Sequence, residues 1–118
     1  VMPYVDGYVL AVPVEKIDAY REMAVRAGEV WKEHGAIAYV ECVADDVPYG
    51  ELTSFPRAVQ QKEGETTIFS WITYPSREAR DAINAKVMAD PRLKGQMDQA
   101  PFDPRRMIFG GFRSIVEL

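Results

Sequence analysis

Apolar side chains recur on both faces of four short stretches of this chain, and that double loading governs what the sequence predicts. Residues 4–12 are rich in Tyr, Val and Leu and close at Pro13, which predicts a strand. One of its faces is Val5, Gly7, Val9 and Ala11; the other is Tyr4, Asp6, Tyr8, Leu10 and Val12. Residues 36–44 predict a second strand. Its small face is Ala36, Ala38, Val40, Cys42 and Ala44, and its bulky face is Ile37, Tyr39, Glu41 and Val43. Residues 66–74 form the third strand, with Ile68, Phe69, Trp71 and Ile72 as strong strand formers. Residues 107–117 form the fourth, where Gly110-Gly111 predicts a bulge or a close approach.

Between these strands the period changes. Ile17, Tyr20, Ala24, Ala27, Trp31 and His34 recur at gaps of three and four, which predicts a helix over residues 14–33 with one buried stripe. Gly35 supplies its left-handed stop. Gly28 inside it costs about 1 kcal/mol against Ala, which predicts that another group comes close there. Ser76 caps a second helix over residues 76–90, striped by Ala79, Ala82, Ile83 and Val87, and Asp90-Pro91 stops it. The connection 45–65 is long for a structureless loop, so it predicts a helical turn near residues 56–61 or a flap.

The order strand, helix, strand, strand, helix, strand predicts an α+β fold of the ferredoxin-like kind, with a four-stranded antiparallel sheet. The small face of the second strand suits packing beneath a helix. That choice leaves Tyr4, Tyr8, Leu10, Ile37, Tyr39 and Val43 on a face with no helix over it. A patch that large marks an interface, and a second copy is its simplest cover. The sequence therefore predicts a homodimer joined through the sheet face.

Composition narrows the picture. The 118 residues suit one domain, 1–118. A net charge of −4 counts against nucleic-acid binding, so an RNA-associated role is the weakest reading. Cys42 stands alone and cannot form an internal disulfide, which predicts a reducing, cytoplasmic setting. No apolar run approaches the roughly 20 residues that span a bilayer, so no membrane partner is expected. The first residues have no basic segment before an apolar run, so no signal peptide is expected.

Several segments resemble one family. They are Glu33-His34-Gly35-Ala36, Tyr39-Val40-Glu41-Cys42 and Asp45-Asp46-Val47-Pro48, then Phe69-Ser70-Trp71, the run from Asn84 to Pro91 and the run from Arg105 to Phe112. In this order they resemble the YbaA-like bacterial family of unknown function. The resemblance implies a dimeric α+β barrel and supplies no activity. Cofactor-free monooxygenases, muconolactone isomerase and haem-handling enzymes share that wider superfamily, but none of their catalytic motifs is present here.

The candidate chemistry is sparse. Glu41 and Asp6 are placed opposite the helices, where a buried acid needs a partner such as Tyr8 or Tyr39, or lines a polar pocket. Glu41 is the first candidate base, and a satisfied interface acid is the plainer reading. His34 is the second, and simple capping of its helix is the plainer reading. Tyr8, Tyr39, Trp71 and Arg106 are the candidate ligand contacts, with Tyr39 or Arg106 to steady an enolate-like oxygen. Trp31, Phe69 and Phe112 join Trp71 as candidate walls of a cavity between helices and sheet. Cys42 falls on the helix-facing side as a small hydrophobe. Asp45-Asp46 reads as turn chemistry, and neither a metal nor a cofactor is expected. The leading reading is a binder of a small, partly apolar molecule, with cofactor-free proton transfer or oxygenation if it is an enzyme. The alternative is a non-catalytic assembly module.

Overall fold

A computed structural model describes residues 3–118. The elements run β1 (Tyr4–Pro13), α1 (Ile17–Glu33), β2 (Ala38–Val43), α2 (Phe55–Ala58), β3 (Glu65–Tyr74), α3 (Arg77–Ala89) and β4 (Ile108–Arg113). The four strands pair antiparallel in the order β2-β3-β1-β4. This is the ferredoxin-like arrangement that the alternation of periods predicted.

The expected barrel is not there. The sheet is open: β2 pairs with β3 alone and β4 with β1 alone among the described residues, so two edges remain. Four strands are too few to curl until their edges meet, since small closed barrels take about eight.

The assignment of the two sheet faces is also reversed. In register, Tyr39 stands opposite Ile72, Glu41 opposite Ser70, and Ser70 opposite Tyr8. These bulky positions lie beneath α1 and α3. Leu10, Val12 and Ile68 pack with Tyr20 and Ala24. Ile72 and Tyr74 pack with Val30, Ile83 and Val87, and Tyr4, Tyr8, Trp31 and Tyr39 border that cluster. The reason is volume. The buried side of α1 is Tyr20, Ala24, Ala27, Gly28 and Val30, mostly small, so the facing sheet must supply the large side chains. The other face carries Val9, Ala11, Cys42, Phe69, Trp71 and Phe112, with Cys42 exposed rather than beneath a helix.

The long connection crosses part of this second face. Ser54 caps α2 by accepting from the Arg57 N–H (3.2 Å), and Pro56 sits in its first turn. Val59, 1 % exposed, seats against Val9 and Ala11. Phe55 tilts on Phe69 with ring centroids 5.7 Å apart. Arg57 lies 3.9 Å over the Tyr49 ring and donates to the Tyr49 and Gly50 carbonyls. The segment is thus a strap, with a helical turn at Phe55–Ala58.

At the end of α1 the His34 N–H reaches the Val30 carbonyl, and Gly35 takes φ +117°. β4 is shorter than the predicted 107–117, and its register with β1 runs unbroken from Val9–Ile108 to Tyr4–Arg113, without a bulge. The close approach at Gly111 is real: a Cβ there would collide with the Tyr4 ring and hydroxyl and with Arg80.

Candidate ligand cavity

Glu41 is the centre of the site. Strand alternation points it and Tyr39 to the same side, toward α1. Its Oε1 accepts from the Tyr20 hydroxyl at 2.7 Å, and its Oε2 accepts from the Tyr39 hydroxyl at 2.9 Å. Burial pushes the Glu41 carboxyl above its ordinary range, while the hydrogen bonds from Tyr20, Tyr39 and Ser70 pull it back without cancelling the rise. Burial first, and the Glu41 charge second, push the Tyr20 and Tyr39 hydroxyls upward. Both therefore stay protonated and remain donors.

A second polar group lies on β1 and α3. Asp6 is buried, and its Oδ1 lies 3.4 Å from Arg80 Nη1. Arg80 also donates through Nη2 to the Tyr4 hydroxyl (3.2 Å), and its Nε faces Asp81 Oδ1 at 3.1 Å. Burial works against the Arg80 charge, but Asp6, Tyr4 and Asp81 outweigh it, so its pKa rises. Trp31 Nε1 donates toward the Tyr74 hydroxyl (3.2 Å) and Asn84 Oδ1 (3.1 Å), which fixes the indole between α1 and α3.

All of these groups except Tyr4, Tyr74 and Asp81 line a cavity of about 490 Å³ between helices and sheet, within the size range of small-molecule sites. Apolar walls come from Leu10, Ile72, Val87, Phe102 and Met107, and Phe109 stacks on Tyr8 with ring centroids 6.2 Å apart. A more open groove of about 650 Å³ runs along the outer side of α1 and β2. Tyr20, Tyr39 and Glu41 belong to both spaces, so the Glu41 carboxylate stands in the wall between them.

Of the residues singled out from the sequence, Asp6, Tyr8, Trp31, Tyr39, Glu41 and Trp71 all border this cavity. Glu41 and Asp6 face the helices rather than away from them, which corrects their expected side. The Trp71 ring lies on the opposite face against Phe69 (5.6 Å between centroids), as does Phe112. His34 lies at the end of α1, with Nε2 3.0 Å from Asp90 Oδ2, beside the Arg92 ion pairs to Asp90 and Glu33. Arg106 grips both Glu65 oxygens at 2.8 and 2.7 Å and donates to the Gln60 carbonyl. Among the described residues no three His, Cys, Asp or Glu side chains gather as metal ligands. No helix among the described residues is long and apolar enough to cross a membrane.

Sequence reasoning missed Tyr20, Ser70, Arg80 and Asn84 as site residues. Tyr20 was legible as part of the α1 stripe, but a stripe does not reveal where a hydroxyl ends. Arg80 and Asn84 lie four apart on α3, so they share one side of that helix, the only local signal they carry.

Residues 3–104 match the family described as proteins of unknown function, DUF1428. The uncharacterised protein YbaA of Escherichia coli K12 is 56% identical over 116 residues, covering 98% of this chain and 99% of that protein. YbaA of Shigella flexneri shows the same identity and coverage. The chain belongs to this YbaA-like family. Among solved structures, Rv0793 from Mycobacterium tuberculosis superposes with a TM-score of 0.59 at 15% identity, covering 98% of this chain and 97% of that one. A dimeric ferredoxin-like protein from an uncultured marine organism gives 0.59 at 13% identity over 100% of both chains. At such identities the likeness concerns the fold.

Proposed function

We propose that this protein binds a small, partly apolar molecule in the cavity between helices and sheet, and that Glu41 exchanges a proton with it. One observation carries the reading: a half-buried carboxylate, held by Tyr20 and Tyr39, stands in the wall of a cavity lined largely by aromatic and aliphatic groups, with Asp6 and Arg80 as its other charged members. Burial makes Glu41 a stronger base than a surface glutamate. With a carbon acid bound, Glu41 would take the proton from carbon while the bond's electrons move onto the adjacent carbonyl oxygen. The Tyr8 hydroxyl is the nearby donor left for that oxygen, since Tyr20 and Tyr39 already donate to Glu41. His34 and Arg106 are committed to Asp90 and Glu65 and are left out of this proposal. The test is a thermal-shift screen of metabolites against wild type and Glu41→Gln. Compounds that shift one protein and not the other support the role of Glu41; a screen that never separates the two removes it.

A second observation supports self-association. Outside the strap, the second sheet face leaves Ile108 and Phe112 at 45% and 63% exposure, and Phe69, touched by Phe55 of the strap, is still 44% exposed. Burying such area is worth about 25 cal/mol per Å². We take a second copy as the occupant, and the marine protein of the same fold is itself described as dimeric. The lone free cysteine suits a reducing compartment, and the cytoplasm is our reading of it. The net charge of −4 weighs against RNA.

A further inference from the structure

This inference rests on the reading of the cavity as a ligand site and names the class of molecule it takes. Asn84 on α3 lines the cavity, and its Oδ1 accepts from Trp31 Nε1 at 3.1 Å and from the Tyr74 hydroxyl at 3.2 Å. The Tyr74 hydroxyl also interacts with Asp6, but an indole N–H only donates, so Trp31 by itself fixes which end of the amide it meets. Both N–H groups of Asn84 Nδ2 are thereby turned away from Trp31. No side-chain hydrogen bond among the described residues uses Nδ2, and it is not among the polar atoms buried without a partner.

The Tyr8 hydroxyl is a second open donor. It lines the same cavity, is likewise unused by the side-chain hydrogen bonds among the described residues, and is not sealed. Burial, then the Asp6 charge, push it upward, so it stays protonated. Its ring is held by Phe109. The acceptors, by contrast, are taken or closed. Both Glu41 oxygens accept from tyrosines, and Asp6 Oδ2 is buried out of reach. Arg80, the one cation lining the cavity among the described residues, faces Asp6, Tyr4 and Asp81. A cationic ligand therefore meets no free acceptor, and an anionic one meets no free cation. A neutral group that accepts hydrogen bonds is left, and a carbonyl oxygen has two lone pairs to offer.

We infer that the cavity takes a neutral ketone on an aromatic-sized body, its carbonyl oxygen accepting from Asn84 Nδ2 and the Tyr8 hydroxyl. Trp31 holds the Asn84 amide ready for it, and the Tyr8 and Trp31 rings supply the wall for the body.

The test uses 1-phenylpropan-2-one, isotope-labelled at its carbonyl carbon, bound to the whole chain and followed by isotope-edited infrared spectroscopy. Calorimetry ranks it against 2-phenylethylamine and 3-phenylpropanoate. The ketone is expected to bind about tenfold or more tighter than the amine or the acid, with its carbonyl stretch lowered from the position it has in cyclohexane. Tyr8→Phe and Asn84→Asp should each return the stretch part of the way and weaken the ketone about three- to tenfold. Asn84→Asp keeps Oδ1 for Trp31 and Tyr74 and removes the N–H donors. A stretch that neither variant moves overturns the assignment while the cavity remains a binding site. An amine or acid that binds as tightly as the ketone, or a ketone that does not bind, overturns it as well. The infrared readout involves no proton transfer, so the metabolite screen with Glu41→Gln judges that reading separately. If Asn84→Asp does not fold, Tyr8→Phe, which keeps its ring on Phe109, and the ranking of the three probes decide.

Discussion

Gly28 on α1 stands directly over Tyr39 on β2: a Cβ built at Gly28 would lie 2.7 Å from Tyr39 Cδ1 and 3.0 Å from its Cε1. The helix gives up a side chain so that the ring can lie beneath it with its hydroxyl on Glu41. The close neighbour that a mid-helix glycine predicts is thus a residue of the site itself.

Gly28→Ala weighs two effects. Ala gains about 1 kcal/mol of helix propensity. Forcing a methyl into the near edge of an anchored ring costs about 1–3 kcal/mol. The ring cannot swing away without breaking its bond to Glu41, so the collision should win. Urea denaturation should show a net loss of about 1 kcal/mol, and any ligand of the cavity should bind more weakly. A variant more stable than wild type would mean that Tyr39 moves freely.

Glu41→Gln should change how stability depends on pH. Burial raises the folded carboxyl above 4.5, so the folded state holds the proton more tightly than the unfolded chain does. That contribution is complete below the unfolded pKa and is lost as pH climbs through the folded one. As pH rises from about 4, wild type should therefore lose stability relative to Glu41→Gln. Glu65, lowered by its Arg106 hydrogen bonds, acts in the opposite sense, but both proteins share it and the difference removes it. Denaturation midpoints across that range provide the check, and a difference independent of pH would contradict the burial argument.

Val59→Ala tests the strap. Val59 is almost wholly buried against Val9 and Ala11. Losing its methyls should cost about 1–3 kcal/mol in urea unfolding and loosen Phe55 from Phe69. Hydrogen exchange should rise across residues 54–61, with β3 still protected. Unchanged exchange would show that the strap holds without its buried anchor.

Phe112→Glu should separate assembly from folding. Phe112 is 63% exposed on the second sheet face, so a carboxylate there costs little in a single copy. Within an apolar contact between copies it would be buried unpaired. Sedimentation should show wild type as a dimer and the variant as a folded monomer. If wild type itself sediments as a monomer at micromolar concentration, the proposed contact is wrong.

The order of elements was legible because period two and period three-to-four alternate cleanly, from Tyr8 and Leu10 on a strand to Tyr20, Ala24 and Ala27 on a helix. Which sheet face the helices would cover was not, because strand alternation says which residues share a face and nothing about where that face points. Ala38, Val40 and Cys42 are small, which suits a face lying under a helix. Yet the α1 stripe is small too, and two small faces leave a void. Matching Ala24, Ala27 and Gly28 to a bulky strand face would have placed Tyr39 and Glu41 correctly. The convergence of Asp6, Arg80 and Asn84 is tertiary and leaves no local trace in the chain.

The central claim is that ligands enter between helices and sheet, and the two tryptophans report on it from opposite sides. Both residues border the cavity, but strand alternation turns the Trp71 ring to the far face, where it packs with Phe69. The most direct measurement follows both indole N–H resonances by NMR during titration with the tightest-binding small aromatic probe. The account predicts that the Trp31 signal moves and saturates while Trp71 stays in place. Movement of Trp71 with Trp31 fixed would put the ligand on the wrong side of the sheet and contradict it.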